Sequence, residues 1–294
     1  MTDSRRQARL RPTPMLEAEK KTGGSIQAMI SDYERQGIAR KAIEEFVQYS
    51  CAILSPGTEG GAATENGSGI IIRTRGENYC ILTAKHIAKE AEINQYRVGL
   101  YHVPDLILDF VAGIKLFPDE DVDVGLLIVK DELISPFKGL AVTQDVVPIN
   151  GQGEIMKGDS LILNGYPIKA TRFNPEESLQ SFKLLTYWCV PENVSFDKHE
   201  RYRLEWKDAV ERNSDSFDLP DPGGMSGGPL WRFRMPESSS IWAAAEIGRI
   251  AAIQSAWDQT ETLFLEPVEK WGSWFHESLA LIDKWCEEKN VEKP

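Results

Sequence analysis

Residues 67–87 read GSGIIIRTRGENYCILTAKHI. Two runs within it, SGIIIRT (68–74) and YCILTA (79–84), are short, apolar and rich in β-branched or aromatic side chains, so both read as strands. His86 follows the second run, where the chain leaves the sheet and begins a helical turn. Outward from this segment the same texture continues, with short apolar runs separated by Gly, Pro, Asn and Asp. FVQYSCAIL (46–54), YRVGLYHV (96–103), LILDFVAGIKLF (106–117) and DVGLLIV (123–129) complete a first set of six. DSLILNGYP (159–167), FKLLTYWCV (182–190), YRLEW (202–206), PLWRF (229–233), RIAAIQSAW (249–257) and TLFLEPV (262–268) form a second. Two such sets without alternating long helices predict an all-β fold of two six-stranded antiparallel barrels rather than a βαβ sheet.

The flanks differ. SIQAMISDYERQGIARKAIEEF (25–46) has apolar residues at helical spacing and predicts one or two short helices broken near Gly37. VEKWGSWFHESLALIDKWCEEKN (268–290) predicts one long C-terminal helix, with Trp271, Trp274, Phe275, Ile282 and Trp285 on one packing face. The charged stretch 191–220 reads as a surface excursion containing one strand. The expected organisation is a basic tail with a helical extension (1–45), a first lobe (46–150), and a second lobe carrying the C-terminal helix (151–294).

Of 294 residues, 41% are hydrophobic and 27% charged, an ordinary globular mixture. The net charge of −12 repels phosphate backbones and anionic lipid, which argues against nucleic acid or a membrane surface as partner. No apolar run approaches the roughly 18 residues that span a bilayer. The first fourteen residues hold four arginines and one acid without an apolar stretch behind them. They read as a solvated tail, with a transit peptide as the alternative, and not as a secretory signal. Cys51, Cys80, Cys189 and Cys286 are dispersed and read as reduced thiols of a cytoplasmic protein. No His or Cys pair has ligand spacing, so neither metal nor cofactor is expected.

The stretch DPGGMSGGPLW (221–231) packs four glycines and two prolines around one hydroxyl, Ser226. Glycines permit positive φ and close backbone approach, both needed where N–H groups must point at a bound oxygen. A serine becomes nucleophilic only beside an imidazole that takes its proton, itself oriented by a carboxylate. Of the four histidines, His102, His199 and His276 each have a solvent or packing explanation, and His86 is the candidate base.

These residues carry a family resemblance. GSGIIIRTRGENYCILTAKHI resembles the strand–hairpin–strand segment of trypsin-like serine proteases, which ends in a Thr-Ala-x-His box. DVDVGLLIV resembles their Asp-Ile-Ala-Leu-Leu strand, and GGMSGGPLW is similar to their Gly-x-Ser-Gly-Gly-Pro loop. The three motifs stand in the order His, Asp, Ser, separated by 37 and 103 residues, over about residues 46–285. Three motifs in that order and strand context are far more specific than any one alone.

The resemblance implies a chymotrypsin-like double barrel and a catalytic triad of His86, Asp123 and Ser226. Asp121 is the rival carboxylate, since the sheet period puts it on the same face. It also implies an oxyanion hole from the N–H groups of Gly224 and Ser226, and a substrate pocket with its floor near Pro220 and Asp221. Gln254, Ser255 and Ala256 would form one wall. Asp221 is read either as attracting a basic side chain or as an exposed loop acid. Secreted trypsins carry an aspartate where this chain has Met225, so activation through a freed N-terminal amine is not expected. The absence of paired cysteines and the GYP at 165–167 are nearer the bacterial HtrA-like branch, without its PDZ domain.

The activity expected is that of a serine endopeptidase acting on intracellular protein or peptide substrates, as a regulated stress or antiviral-defence effector with a regulatory protein partner. The alternative is a catalytically inactive binding or sensor module of the same fold. An esterase or acyl transferase is disfavoured, because Pro and a strand follow GMSGG where such hydrolases have a helix.

Overall fold

Seventeen strands are found among the described residues. The structure, a computed structural model, describes residue 41 and residues 44–291 apart from 56–63, 91–95, 101–102, 111–114, 119–120, 130–137, 150–152, 169–171, 175–178, 182–183, 190, 207–220, 235–246 and 259–261. The described elements lie within the unit 39–294. The helical expectation for 25–46 therefore falls almost wholly outside the described residues, as do Pro220 and His102.

The first sheet contains β1 (Ser50–Ser55), β2 (Thr64–Arg73), β3 (Tyr79–Thr83), β4 (Tyr96–Leu100), β5 (Val103–Phe110), β6 (Lys115–Leu116), β7 (Gly125–Ile128) and β8 (Val142–Thr143). Its order is β5-β4-β1-β2-β3-β7-β6, antiparallel throughout except for β8, which runs parallel beside β2. The second sheet takes β9 (Ser160–Gly165), β12 (Leu185–Cys189), β13 (Val194–Phe196), β14 (Tyr202–Glu205), β15 (Pro229–Phe233), β16 (Gly248–Trp257) and β17 (Thr262–Pro267) in the order β12-β9-β15-β16-β17-β14-β13. A separate ribbon pairs β10 (Arg172–Asn174) with β11 (Leu179–Ser181). All twelve strands read from the sequence have counterparts, six in each sheet, and the fold is a chymotrypsin-like pair of antiparallel β-lobes. The run 106–117, read as one strand, holds both β5 and β6, and the strands added to the two sheets are β8 and β13; β6, β8 and β13 are only two or three residues long.

The β2–β3 hairpin follows from its residues. Ile70, Ile71 and Ile72 are all fully buried, which explains a continuous apolar run rather than an alternating one. Ile71 and Ile81 join the first core with Cys51, Ile53 and Leu127. The turn closes with Glu77 N–H donating to Thr74 O, and Glu77 takes φ +62°, the left-handed residue that ends a three-residue hairpin loop.

Three readings are corrected. The run 46–54 becomes strand only at Ser50, because residues 47–49 form a 3₁₀ turn. The excursion 191–220 contributes two strands, β13 and β14, paired through Phe196 and Tyr202. The C-terminal helix α2 (Gly272–Val291; α1 is Lys85–Glu90) buries Trp271, Phe275, Leu279 and Ile282, whereas Trp285 is exposed. Steps of four, four and three from Trp271 stay on one stripe; Trp285 is one step further round, beyond the covered face.

Contacts join the two sheets. Phe46 packs its ring 4.4 Å from that of Trp231, and the Tyr166 hydroxyl donates to Ser50 O at 3.2 Å. On α2, Asp283 accepts bonds from the Thr74 hydroxyl, Gly76 N–H (2.9 Å) and Asn78 Nδ2 (2.7 Å), holding the β2–β3 turn. His276 Nε2 lies 2.8 Å from Val147 O, the packing role expected of it. His199 is exposed in the β13–β14 turn, and its carbonyl accepts Lys270 Nζ. No helix among the described residues is long and apolar enough to cross a membrane.

Candidate active site

Helix α1 begins directly after β3, and Ile87 and Ala88 anchor it in the first core. That leaves His86 half-exposed on the outer side. Asp123 sits between the buried Val122 and Val124, just before β7. Both of its oxygens reach His86. Oδ1 accepts the backbone N–H at 2.9 Å, and Oδ2 is 2.7 Å from ring Nδ1. A carboxylate only accepts, so Nδ1 carries the proton and Nε2 of the neutral ring keeps its lone pair. Nε2 has no hydrogen-bond partner among the described residues. Asp121 is exposed and makes no such bond, so the structure joins His86 to Asp123 and not to its rival.

The loop bearing Ser226 is two successive tight turns. Met225 N–H donates to Pro222 O at 3.0 Å, and Gly228 N–H to Met225 O at 2.8 Å. Each turn has a glycine at its third position, Gly224 at φ +93° and Gly227 at φ +90°, where a side chain would be strained. Met225 is fully buried in the second core, so the chain enters Ser226 from a fixed anchor. Gly223 O accepts Ile168 N–H at 2.8 Å. A planar trans peptide then turns the Gly224 N–H the opposite way. Neither the Gly224 nor the Ser226 N–H has an acceptor among the described residues.

The loop is seated against the strand that delivers His86. Ser226 O accepts Ser68 N–H at 2.7 Å, and a Cβ on Gly227 would collide with Thr83 Oγ1 and Ser68 O. Gly227 thus abuts the end of β3, three residues before His86. The Ser226 hydroxyl itself makes no hydrogen bond to His86 among the described residues. Serine–histidine bonds of this kind are often long before a substrate binds.

The residues expected to line a substrate pocket divide. Asp221 is half-buried, and its Oδ1 accepts Gly223 N–H at 3.0 Å, capping its own turn. Gln254 and Ser255 are buried and serve the frame. Gln254 O accepts Gly227 N–H at 2.7 Å and its Nε2 donates to Ala256 O at 3.0 Å, while Ser255 Oγ donates to Phe264 O at 3.1 Å. Ala256 is half-exposed beside a register shift in β16.

Two contributors were not singled out from the sequence. Ser68 bonds to the loop, and its only signal was its place inside a glycine-rich stretch. Glu266 on β17 is buried behind Asp123 and accepts that residue's backbone N–H. Burial pushes the Glu266 carboxyl above its ordinary range; Lys270 and Arg201 pull it down, and Asp123 adds to the rise. Nothing in a β-strand pattern distinguishes such an acid from a solvent-facing one. Among the described residues no cluster of His, Cys, Asp or Glu could hold a metal ion.

No protein-family model matches the chain. No curated protein matches it either. Among solved structures, the serine endoprotease from Yersinia pestis superposes with a TM-score of 0.48 at 17% sequence identity. The match covers 82% of this chain and 65% of that one, so the chain spans about two thirds of that structure's length. At so low an identity and overlap the activity of that enzyme does not transfer, and the fold rests on the strand orders and registers given above.

Proposed function

We propose that the chain is a serine endopeptidase in which Ser226 is the nucleophile, His86 the base and Asp123 its orienting carboxylate. The observation that carries this reading is the two-point bond from Asp123 to His86, which leaves Nε2 as a free acceptor. Ser226 Oγ attacks a peptide carbonyl while its proton moves to Nε2. The C–N bond then breaks, the amine leaves with that proton, and water hydrolyses the acyl-enzyme by the same route. The unengaged N–H groups of Gly224 and Ser226 suit the developing oxyanion, and losing one such donor costs roughly 3 kcal/mol of transition-state stabilisation. Protein or peptide is the substrate class, and no metal or cofactor takes part. The bacterial HtrA-like affinity, the cytoplasmic setting, the regulatory partner and the stress or defence role belong to the same reading. Cys51, Cys80, Cys189 and Cys286 form no disulfide, which is compatible with a reducing compartment.

A second reading, an inactive binding or sensor module, draws on one observation: Ser226 is not hydrogen-bonded to His86. Labelling with a fluorophosphonate probe separates the two. The protease reading expects labelling of the wild type that is lost in Ser226→Ala and strongly reduced in His86→Ala. Labelling that survives Ser226→Ala rejects the nucleophile. No labelling of the wild type, alone or with candidate activators, favours the binding module.

A further inference from the structure

Gly224 is pinned on both sides. The peptide before it is held by Ile168 N–H on Gly223 O, and the peptide after it by the Ser68 hydroxyl on Gly224 O at 2.9 Å. That hydroxyl also accepts Tyr166 N–H at 2.8 Å, so one oxygen bridges the loop to the segment after β9. Ser68 is 1% exposed, and its own backbone is fixed at both ends. Its N–H donates to Ser226 O, and its carbonyl accepts the Thr83 hydroxyl at 2.7 Å. A single residue of the first sheet thus ties together the nucleophile loop, the chain after β9 and the end of β3.

Removing the hydroxyl takes from the half-buried Gly224 O the donor that holds it, and from the buried Tyr166 N–H the oxygen it donates to. Buried polar groups do not tolerate that cheaply. The peptide after Gly224 then keeps only the Met225 N–H on Pro222 O, and a tilt of that peptide in search of a new donor turns ψ of Gly224 and φ of Met225, loosening the tight turn that holds Gly224 at its left-handed φ. We propose that the Ser68 hydroxyl is a positioning residue, holding the Gly224 N–H on the oxygen that gains charge during acyl transfer. This rests on the hydrolase reading above for its chemical consequence, but the tether itself does not.

The test compares full-length wild type with Ser68→Ala, and with Ser68→Cys, which keeps a weaker donor in nearly the same volume. With a peptide substrate, Ser68→Ala is expected to lower kcat about ten- to a hundred-fold and to leave KM within about two-fold, the pattern of a lost transition-state interaction. Ser68→Cys should recover part of the loss. Amide hydrogen exchange over residues 222–228 should quicken in Ser68→Ala while the β2–β3 hairpin exchanges as in wild type. Unchanged exchange at 222–228 overturns the tether. So does quickened exchange throughout both sheets, which marks a merely structural role. Quickened loop exchange with kcat unaltered overturns the catalytic consequence. A wild type that fluorophosphonate does not label at Ser226 sinks the hydrolase reading alone, and the exchange comparison still decides the tether.

Discussion

At the residue scale, the Asp123 carboxylate has two tasks, one on the backbone of His86 and one on its ring. Asp123→Asn keeps the shape but offers an amide where an acceptor was, so the ring can adopt the other tautomer, with Nε2 protonated. On the protease reading, kcat should fall roughly 10⁴-fold with little change in melting temperature, measured with a peptide substrate and by calorimetry. Glu266 makes a different prediction. Its folded-state carboxyl titrates above its unfolded value, chiefly through burial. Its contribution to stability is therefore complete below the unfolded pKa of about 4.3 and declines as pH rises through the folded value. Glu266→Gln retains an acceptor for Asp123 N–H and has no charge to bury. Its melting temperature should gain on wild type as pH rises from about 4 to 7. Parallel curves across that range would show that Glu266 is not so perturbed.

At the element scale, the double turn at 222–228 depends on backbone that only glycine adopts readily. Gly227→Ala meets both an unfavourable φ and the oxygens of Ser68 and Thr83. It should abolish probe labelling and destabilise the protein by roughly 1–3 kcal/mol, read by chemical denaturation. The β13–β14 hairpin has its own fastening. Burial opposes ionisation of Asp197, but hydrogen bonds from the Arg201 backbone and side chain and from His199 N–H, with the Arg201 charge, outweigh it and pull the pKa down to about 2. That stability is present above about pH 4 and is lost as pH falls toward 2. Asp197→Asn should lower stability at pH 7 by up to about 2 kcal/mol, a gap that closes in acid.

Strand existence was legible because runs such as IIIR and YCILT are apolar and bounded by turn residues. Strand β8, two residues long, carries too little pattern to read, and β6 falls within the run 106–117 that reads as one strand with β5. The triad candidates were legible because chemistry restricts those positions to few residue types. Ser68 was not, because a hydroxyl gains its meaning from the carbonyl it meets 156 residues later.

At the scale of the whole molecule, contacts among the described residues couple the two sheets, and the ends of the described chain provide some of them. Phe46 lies against Trp231 and Phe233, and α2 reaches back to the first hairpin. Asp283→Ala removes three accepted hydrogen bonds from a partly buried turn. Stability should fall by about 1–3 kcal/mol, a drop of several degrees in melting temperature, with exchange quickened at residues 74–78. Exchange confined to α2 itself would contradict a shared fastening. The helical stripe was legible only to its third turn, since nothing in Trp285 announces that the surface it would cover has ended.

The grip of Asp283 on the β2–β3 turn also orders events during synthesis. A ribosome completes the hairpin some two hundred residues before it makes α2. Until then the groups of Thr74, Gly76 and Asn78 that Asp283 will hold must turn to water, at the far end of the strand that leads to His86. Truncation within α2 would therefore be felt at a turn encoded about two hundred residues earlier.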